Sequence, residues 1–152
     1  MEGVKVLINI RKAIIKDIDN LIAFLSAKGF KDKDIYNQND YYVYYDNDIL
    51  LGCGTSFNEG EYCIIENIIV DEKFRKNKVG TAIAKTILNS YECNGAKYAL
   101  SYGGCQGFCE SLGFSPMSKD GLPAYIKNVL SKVEDMRPLY MVSLEGYFKN
   151  CC

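Results

Sequence analysis

The chain has 152 residues, of which 18 are Lys or Arg and 19 are Asp or Glu, so its formal net charge is −1. With 48% apolar and 24% charged residues, its composition is that of one globular domain and excludes a disordered or collagen-like chain. No apolar run approaches the roughly 18 residues that span a bilayer, no basic-then-apolar secretory segment opens the chain, and the near-zero charge gives no electrostatic reason to bind nucleic acid or an anionic membrane.

The apolar pattern predicts strands and helices along the first half of the chain. Ile18, Leu21, Ile22 and Leu25 recur at i, i+3, i+4 and i+7, which indicates an amphipathic helix ended by Gly29. We expect a strand at 4–10 before it, a short helix at 31–38 after it, then strands at 42–45, 49–57 and 62–70 joined by turns at 46–48 and 58–60. The Gly52-Cys53-Gly54 segment lies inside a strand pattern, which indicates a bulge or a close approach of the main chain.

The second half continues the alternation. A helix at 79–91 places Ile83, Ile87 and Tyr91 on one face. After it we expect a strand at 97–102, a short helix at 106–112 ended by Gly113, a helix at 122–133 and a strand at 137–144. This order predicts an α/β (α+β) domain whose mixed sheet carries helices on both faces.

Histidine is absent, which excludes Ser-His-Asp and Cys-His nucleophilic sites and zinc hydrolysis based on imidazole. The seven cysteines are odd in number and include no Cys-x-x-Cys pair, so free thiols in a reducing cytoplasm are expected. A zinc site from such scattered thiolates has weak support, and no metal is predicted.

The most informative stretch is the polar loop between the buried strand at 62–70 and the helix at 79–91. Free main-chain N–H groups at a helix start carry a partial positive charge, and Arg75, Lys76 and Lys78 add three cations. Gly80 lets a ligand approach the main chain closely. Together these features suit a pyrophosphate. The alternative is a solvated basic turn, which composition alone favours.

Four segments follow one another in the order of a known family pattern. They are Ile10-Arg11-Lys12-Ala13 with Asp17, the strand and loop at 66–82, Phe108-Cys109-Glu110-Ser111-Leu112-Gly113-Phe114, and Leu139-Tyr140-Met141. In these segments the chain resembles the GNAT superfamily of N-acetyltransferases. The family loop runs Arg/Gln-x-x-Gly-x-Gly/Ala, so Arg75 and Gly80 match its ends and Lys78 stands at the middle glycine. The third segment is similar to the family's Phe-Tyr-x-x-x-Gly-Phe helix.

The resemblance implies one GNAT-like domain over residues 1–152, with a mostly antiparallel central sheet flanked by helices. It implies direct transfer of the acetyl group of acetyl-CoA to a primary amine of a small molecule or peptide. The implied CoA contacts are Val70 along the pantetheine and, at the pyrophosphate, Arg75, Lys76, Asn77, Lys78, Val79, Gly80 and Thr81. Lys78 either reaches a phosphate as a point charge or points to solvent, and as a non-glycine it needs a compatible φ. A homodimer through the last strand, found in some members, stays open.

Glu66 is the candidate general base. An alkyl ammonium has a pKa of about 10.4, so at neutral pH a base must take a proton from the acceptor amine before it attacks. Glu66 interrupts an apolar strand, where burial favours the protonated form of a carboxylate and so suits a base near neutral pH. It also falls where some family members carry a catalytic Glu that acts through water. The alternative is a structural Glu bonded to a main-chain group or a cation.

Cys109 is the candidate general acid, since it stands where the family helix usually presents Tyr. A thiol can protonate the leaving thiolate, although it is shorter than a phenol. Three alternatives remain: an acylated Cys109, a passive Cys109 with Tyr102 supplying the proton, or a passive Cys109 with water supplying it. Tyr102 itself replaces the family's usual Asn ahead of this helix.

The acceptor side is marked by a cluster of tyrosines and aspartates. Its members are Tyr36, Tyr41, Tyr42, Tyr44 and Tyr45 with Asp32, Asp34, Asp40, Asp46 and Asp48. Any that faced the substrate would favour a cationic acceptor, whereas strands and turns account for most of them. Two other functions compete with the enzyme: a catalytically weak or inactive acyl-CoA-binding sensor or scaffold, and a thiol-based redox or metal module.

Overall fold

The computed structural model describes residues 7–30, 40–102, 106–131 and 138–148, with the main chain only at positions 76 and 77. The strands are β1 (Ile8–Lys12), β2 (Asp40–Asp46), β3 (Ile49–Glu59), β4 (Tyr62–Val70), β5 (Tyr98–Tyr102), β6 (Ser115–Pro116) and β7 (Leu139–Ser143). The α-helices are α1 (Ile18–Ala27), α2 (Val79–Cys93), α3 (Gln106–Ser111) and α4 (Ala124–Leu130). Within the described residues, no helix is both long and apolar enough to cross a membrane.

The strands form one seven-stranded sheet in the order β1-β2-β3-β4-β5-β7-β6. The pairs β1–β2, β5–β7 and β6–β7 are antiparallel, whereas β4 and β5 run parallel from Tyr62–Tyr98 to Ile65–Ser101. The predicted mixed sheet is therefore confirmed. By internal packing the chain forms two compact units, and the boundary between them falls inside β3, β4 and α2. The first unit holds the described residues up to Thr55 with Ile68–Ile87, and the second holds Ser56–Asn67 with the described residues from Leu88 onward.

The core of the first unit lies between α1 and the strands β2 and β3. Leu21 and Leu25, one helical turn apart, pack with Val43 and Tyr45 of β2 and with Cys53 of β3. This confirms the predicted amphipathic helix. Its end is also as predicted, because Gly29 has a φ of 91° and the N–H of Phe30 reaches back to the Leu25 carbonyl at 3.0 Å.

A buried carboxylate ties β1 to the start of α1 in the first unit. Asp17, 2% exposed, accepts hydrogen bonds from Nη1 and Nη2 of the Arg11 guanidinium at 2.6 and 3.0 Å. The main-chain N–H of Ile14 and the hydroxyl of Tyr45 also donate to it, at 2.8 and 3.1 Å. Mainly through the Arg11 hydrogen bonds, the pKa of Asp17 falls to about 2, since donors stabilise the charged form.

The second unit has its own core, the α4-side cluster. Its buried members are Tyr62, Ile64, Leu100, Tyr102, Leu122, Ile126, Leu130 and Leu139. On β4 and β5 these are alternate residues, as expected for one face of a sheet. The α4-side cluster therefore packs residues of β4, β5 and β7, neighbouring strands of one sheet, against α4 and Leu122 before it.

Most predicted elements are confirmed, with differences at their ends. β4 has the predicted bounds, and α2 contains the predicted helix with two further residues. β3 runs to Glu59, so the predicted turn at 58–60 was wrong: Gly60, with a φ of 58°, permits a tighter turn at 60–61. The helix predicted from 122 begins at Ala124, because Pro123 disfavours helical backbone in Leu122, which is extended.

Two further differences involve short strands, and some predicted residues cannot be compared. β1 runs to Lys12 rather than to 10, because Arg11 and Lys12 pair with Val43 and Tyr42. β6 was not predicted, since two exposed residues carry no periodic signal. The predicted helix at 31–38, strand residues 4–6, helix residues 132 and 133, and strand residue 137 lie outside the described residues.

Candidate functional site

The loop after β4 is a compact turn that leads directly into α2. The Asp71 carboxylate accepts a hydrogen bond from the N–H of Lys73 at 3.0 Å and so caps a 3₁₀ turn, Glu72–Asn77. The N–H of Asp71 bonds to the Leu51 carbonyl at 2.8 Å, which ties the end of β4 to β3. The loop is therefore held at its start by hydrogen bonds to defined partners.

Lys78 joins the 3₁₀ turn to α2 in the left-handed conformation, with φ 61° and ψ 23°. Glycine adopts this conformation freely, whereas a residue with a Cβ does so at a cost. The Lys78 carbonyl accepts the N–H of Ala82 at 3.0 Å, so the helix starts immediately after this residue. Lys78 thus has a φ that is allowed but disfavoured for a non-glycine residue, and its side chain is exposed.

The first turn of α2 holds main-chain donors that cannot be paired within the helix itself. The N–H groups of Val79, Gly80 and Thr81 have no acceptor within the helix, because the residues four positions earlier are not helical in the α sense. The partial positive charge of a 15-residue helix is concentrated there. Arg75 and Lys78 are exposed just before this turn, and the main chain of Lys76 and Asn77 belongs to the preceding 3₁₀ turn. This arrangement can bind an anion.

Gly52 keeps the loop region closely packed. A Cβ at position 52 would lie 3.0 Å from the Ile69 carbonyl oxygen, 3.0 Å from Ile83 and 3.2 Å from Val79. Only glycine lets β3 approach both the end of β4 and the first turns of α2 so closely. The predicted close approach of the main chain is confirmed at this position.

Glu66 lies in the second unit and is bonded to Tyr102. The Tyr102 hydroxyl donates to Glu66 Oε2 at 2.9 Å, and Glu66 is half-buried on β4. The tyrosine, 6% exposed, belongs to the α4-side cluster. A hydrogen bond to the charged form of a carboxylate stabilises that form. This contact between two residues that are 36 positions apart was not predicted. The matching alternation of β4 and β5 would have indicated it only once their parallel register was known.

Cys109 lies in α3 and is 2% exposed. The helix ends as predicted: Gly113 has a φ of 88°, and the N–H of Phe114 reaches the Cys109 carbonyl at 3.0 Å. Cys109 and Glu66 belong to the second unit, whereas Val70 and the loop up to Thr81 belong to the first.

Two other cysteines are buried in strands. Burial raises the pKa of the Cys53 thiol to about 12 and that of the Cys63 thiol well above its usual range. Neither forms thiolate at neutral pH, and the thiolate is the reactive species and the metal ligand. In the parts of the chain that the structure describes, no three metal-binding side chains are grouped. Cys105, Cys151 and Cys152 lie outside these parts.

The tyrosines and aspartates expected near an acceptor have mainly structural partners where they are described. Tyr45 bonds to Asp17 and accepts from Asn20 at 3.1 Å, and Tyr42 is buried. Asp40 forms an ion pair with Lys12 at 3.3 Å. Tyr36, Asp32 and Asp34 lie outside the described residues.

Solved acetyltransferases have the same fold. The TM-score is 0.72 with a GNAT-family acetyltransferase from Staphylococcus aureus Mu50, at 17% identity over 91% of this chain and 99% of that chain. The TM-score with N-acetylglutamate synthase of Neisseria gonorrhoeae, solved with coenzyme A and N-acetyl-glutamate, is 0.71, at 17% identity over 93% of this chain and 36% of that chain. The TM-score with ribosomal-protein-S18-alanine N-acetyltransferase of Escherichia coli is 0.63, at 12% identity over 91% of this chain and 94% of that chain.

The sequence itself was compared in two ways. No curated protein sequence matches the chain. A family model described as an acetyltransferase (GNAT) domain matches residues 37–116, just over half of the 152 residues. The matched region contains β4, the loop with Lys78, the first turn of α2 and the helix with Cys109. The chain therefore belongs to the GNAT family of acetyltransferases.

Proposed function

We propose that the protein transfers the acetyl group of acetyl-CoA directly to a primary amine of a small molecule or a peptide. The observation that carries this proposal is the start of α2, where a left-handed Lys78 is followed at once by three main-chain donors. In a member of an acetyltransferase family, such donors suit the pyrophosphate of CoA. A single domain over residues 1–152 and a cytoplasmic location belong to the same proposal, and a homodimer stays open.

Binding of CoA is assigned to the loop. The N–H groups of Val79, Gly80 and Thr81 would hold the diphosphate, since they point away from the helix and carry partial positive charge. Exposed cations at Arg75 and Lys78 would add attraction for the phosphates. Lys76 and Asn77 are assigned main-chain contacts, and Val70 a contact with the pantetheine.

Glu66 is assigned as the general base. The amine enters as an ammonium ion, which gives a proton to the Glu66 carboxylate, directly or through water. The nitrogen lone pair then attacks the thioester carbon, the C–N bond forms, and the C–S bond breaks as the tetrahedral intermediate collapses. The attacking nitrogen carries a positive charge in that intermediate and loses its second proton as the amide forms. The thiolate of CoA leaves and takes one proton, so the two protons lost by the ammonium end on Glu66 and on the thiol of CoA, and any acid that protonates the thiolate regains its proton from the nitrogen. The hydrogen bond from Tyr102 supports this assignment, because it favours the ionised carboxylate that a base must have.

Cys109 is assigned as the general acid that protonates the leaving thiolate of CoA. Its position in α3 matches the family's acid position, and a thiol has a lower ordinary pKa than a phenol. Its burial also fits the passive alternative, in which Cys109 packs in the core and another group supplies the proton.

The test begins with binding and ends with turnover. Acetyl-CoA should raise the melting temperature, because a ligand that binds only the native state stabilises it. A panel of amines should then cause release of CoA. The released CoA is measured by chromatography, because exposed thiols of the protein, such as that of Cys93, would react with thiol reagents. Glu66→Gln should abolish most turnover and leave the thermal shift intact. The matched control, Glu145→Gln, removes an exposed carboxylate of the same unit and should change neither.

A second candidate is an acyl-CoA-binding sensor or scaffold without turnover. The specific observation in its favour is the buried cysteine at the position of the usual acid. A thermal shift with acetyl-CoA, combined with no amine-dependent CoA release across the panel, would support it. Absence of any shift would refute both candidates.

A further inference from the structure

The contact between Tyr102 and Glu66 follows from the register of two parallel strands. β4 and β5 pair from Tyr62–Tyr98 to Ile65–Ser101, and Glu66 and Tyr102 are the next residues on each strand. Alternation places Tyr62, Ile64 and Glu66 on one face of β4. The same face of β5 carries Leu100 and Tyr102. All of these residues except Glu66 belong to the α4-side cluster, and the last residue of each series, Glu66 and Tyr102, are hydrogen-bonded to each other.

The ring of Tyr102 is fixed by this packing. It is 6% exposed and belongs to the α4-side cluster, which also contains Leu100 and Leu122, and the main chain of Tyr102 pairs with Leu139 of β7. A phenol ring held on a sheet has few rotamers left to lose, so its hydroxyl is already in place for the carboxylate. The half-buried Glu66 side chain is long, so a hydrogen bond to its carboxylate restricts the rotamers it can adopt.

The hydrogen bond has two consequences for a base. It fixes the position of Oε2, and with it the direction in which the carboxylate presents its lone pairs. It also favours the ionised form, so Glu66 stays ready to accept a proton at a lower pH than it would without the phenol. A hydrogen bond to a charged group is worth enough to change proton affinity about tenfold.

We propose that Tyr102 is a positioning residue that orients the Glu66 carboxylate and keeps it ionised for proton abstraction from the acceptor amine. The inference rests on the proposed function of Glu66. It assigns no direct contact between Tyr102 and either substrate.

The first test is Tyr102→Phe, which removes the hydroxyl and keeps the ring. Without its donor, ionised Glu66 is less stable and binds a proton more readily. The acidic limb of the kcat/KM profile should therefore move to higher pH by about one unit. At pH values on that limb, kcat/KM should fall by up to about tenfold. The thermal shift with acetyl-CoA should remain.

The matched control is Tyr98→Phe. Tyr98 lies on the same face of β5 and stacks on Tyr62 with ring centroids 5.0 Å apart, so this variant removes a phenol hydroxyl from the same strand. Its acidic limb should coincide with that of the wild type. In a Glu66→Gln background, Tyr102→Phe should cause no further loss. An unmoved limb in Tyr102→Phe, or an equal shift in the control, would overturn the proposal.

A second measurement needs neither turnover nor a folded Tyr102 variant. In the wild type labelled with ¹³C-tyrosine, the Cζ resonance of Tyr102 should show a titration step as Glu66 changes charge. Glu66→Gln should abolish that step. Absence of the step in the wild type would refute the pairing itself. If the step is present but no amine is acetylated, the proposed function fails while the paired titration stands.

Discussion

At Lys78 the side chain and the backbone favour different structures. The left-handed φ of 61° suits glycine, and a Cβ there costs about 1 kcal/mol or more. The basic side chain that accompanies this conformational cost lies next to the first turn of α2, where an ammonium group attracts a phosphate. The residue therefore links local strain to the proposed site.

The strain can be measured by comparing two variants that both remove the charge. Lys78→Gly should be more stable than Lys78→Ala by about 1 kcal/mol, because only glycine adopts this φ without strain. Urea unfolding would measure the difference. If the ammonium contacts a phosphate, both variants should bind acetyl-CoA several-fold more weakly than the wild type, with a reduced dependence on salt. Equal stability of the two variants would contradict the left-handed conformation.

For Cys109, a role in the reaction and a role in packing can be measured separately in one variant. Cys109→Ala should lower kcat at least tenfold if the thiol protonates the leaving thiolate. Truncation in the core should also cost about 1 kcal/mol of unfolding free energy, because the side chain is 2% exposed. Steady-state kinetics and urea unfolding would measure the two effects separately. An unchanged kcat with the stability loss would assign Cys109 to packing alone.

At the scale of elements, the first unit depends on one ion pair between β1 and the start of α1. Arg11 and Asp17 form two hydrogen bonds around a carboxylate that is almost fully buried. Removing one partner would leave the other charged group without its partner, which is costlier than removing both.

Asp17→Asn should therefore lose about 2 kcal/mol of unfolding free energy at pH 7. In the wild type, the pKa of Asp17 is about 2, below its ordinary 3.8. Its contribution is thus complete only above about pH 5, one unit above the ordinary pKa, and is lost as the pH falls through about 2 and the folded carboxylate is protonated. The gap between variant and wild type should narrow over that range in urea unfolding. Asp48→Asn, at an exposed position of the same unit, is the control, and a gap independent of pH would contradict the assignment.

At the scale of the whole molecule, the two compact units share three elements. The boundary falls within β3, β4 and α2, so each of these elements has residues in both units. This supports the proposal of one domain over residues 1–152.

One domain predicts one cooperative unfolding transition. Far-UV circular dichroism and tyrosine fluorescence, available because the chain has 12 tyrosines and no tryptophan, should give coincident urea curves. Acetyl-CoA should shift both curves together. Two separated midpoints, or a shift confined to one probe, would show that the units unfold independently.

The sequence alone predicted the elements with strong local signals. β4 is an uninterrupted apolar run apart from Glu66 and Asn67, and α1 and α2 have apolar residues at helical spacing. Gly29 and Gly113 mark helix ends because the left-handed conformation favours glycine. The loop before α2 could also be located from the sequence, because a basic turn between a buried strand and a helix is a local pattern.

Which distant residues meet depends on how the chain packs in three dimensions. The bond between Tyr102 and Glu66 joins residues 36 positions apart, and that between Tyr45 and Asp17 joins residues 28 positions apart. Such pairs depend on strand order and register, which periodicity does not specify. The left-handed φ at Lys78 is a similar case, because local preference opposes it and the surrounding structure imposes it. Short-range patterns thus determined the elements and the family, whereas long-range packing determined the partners of the candidate base.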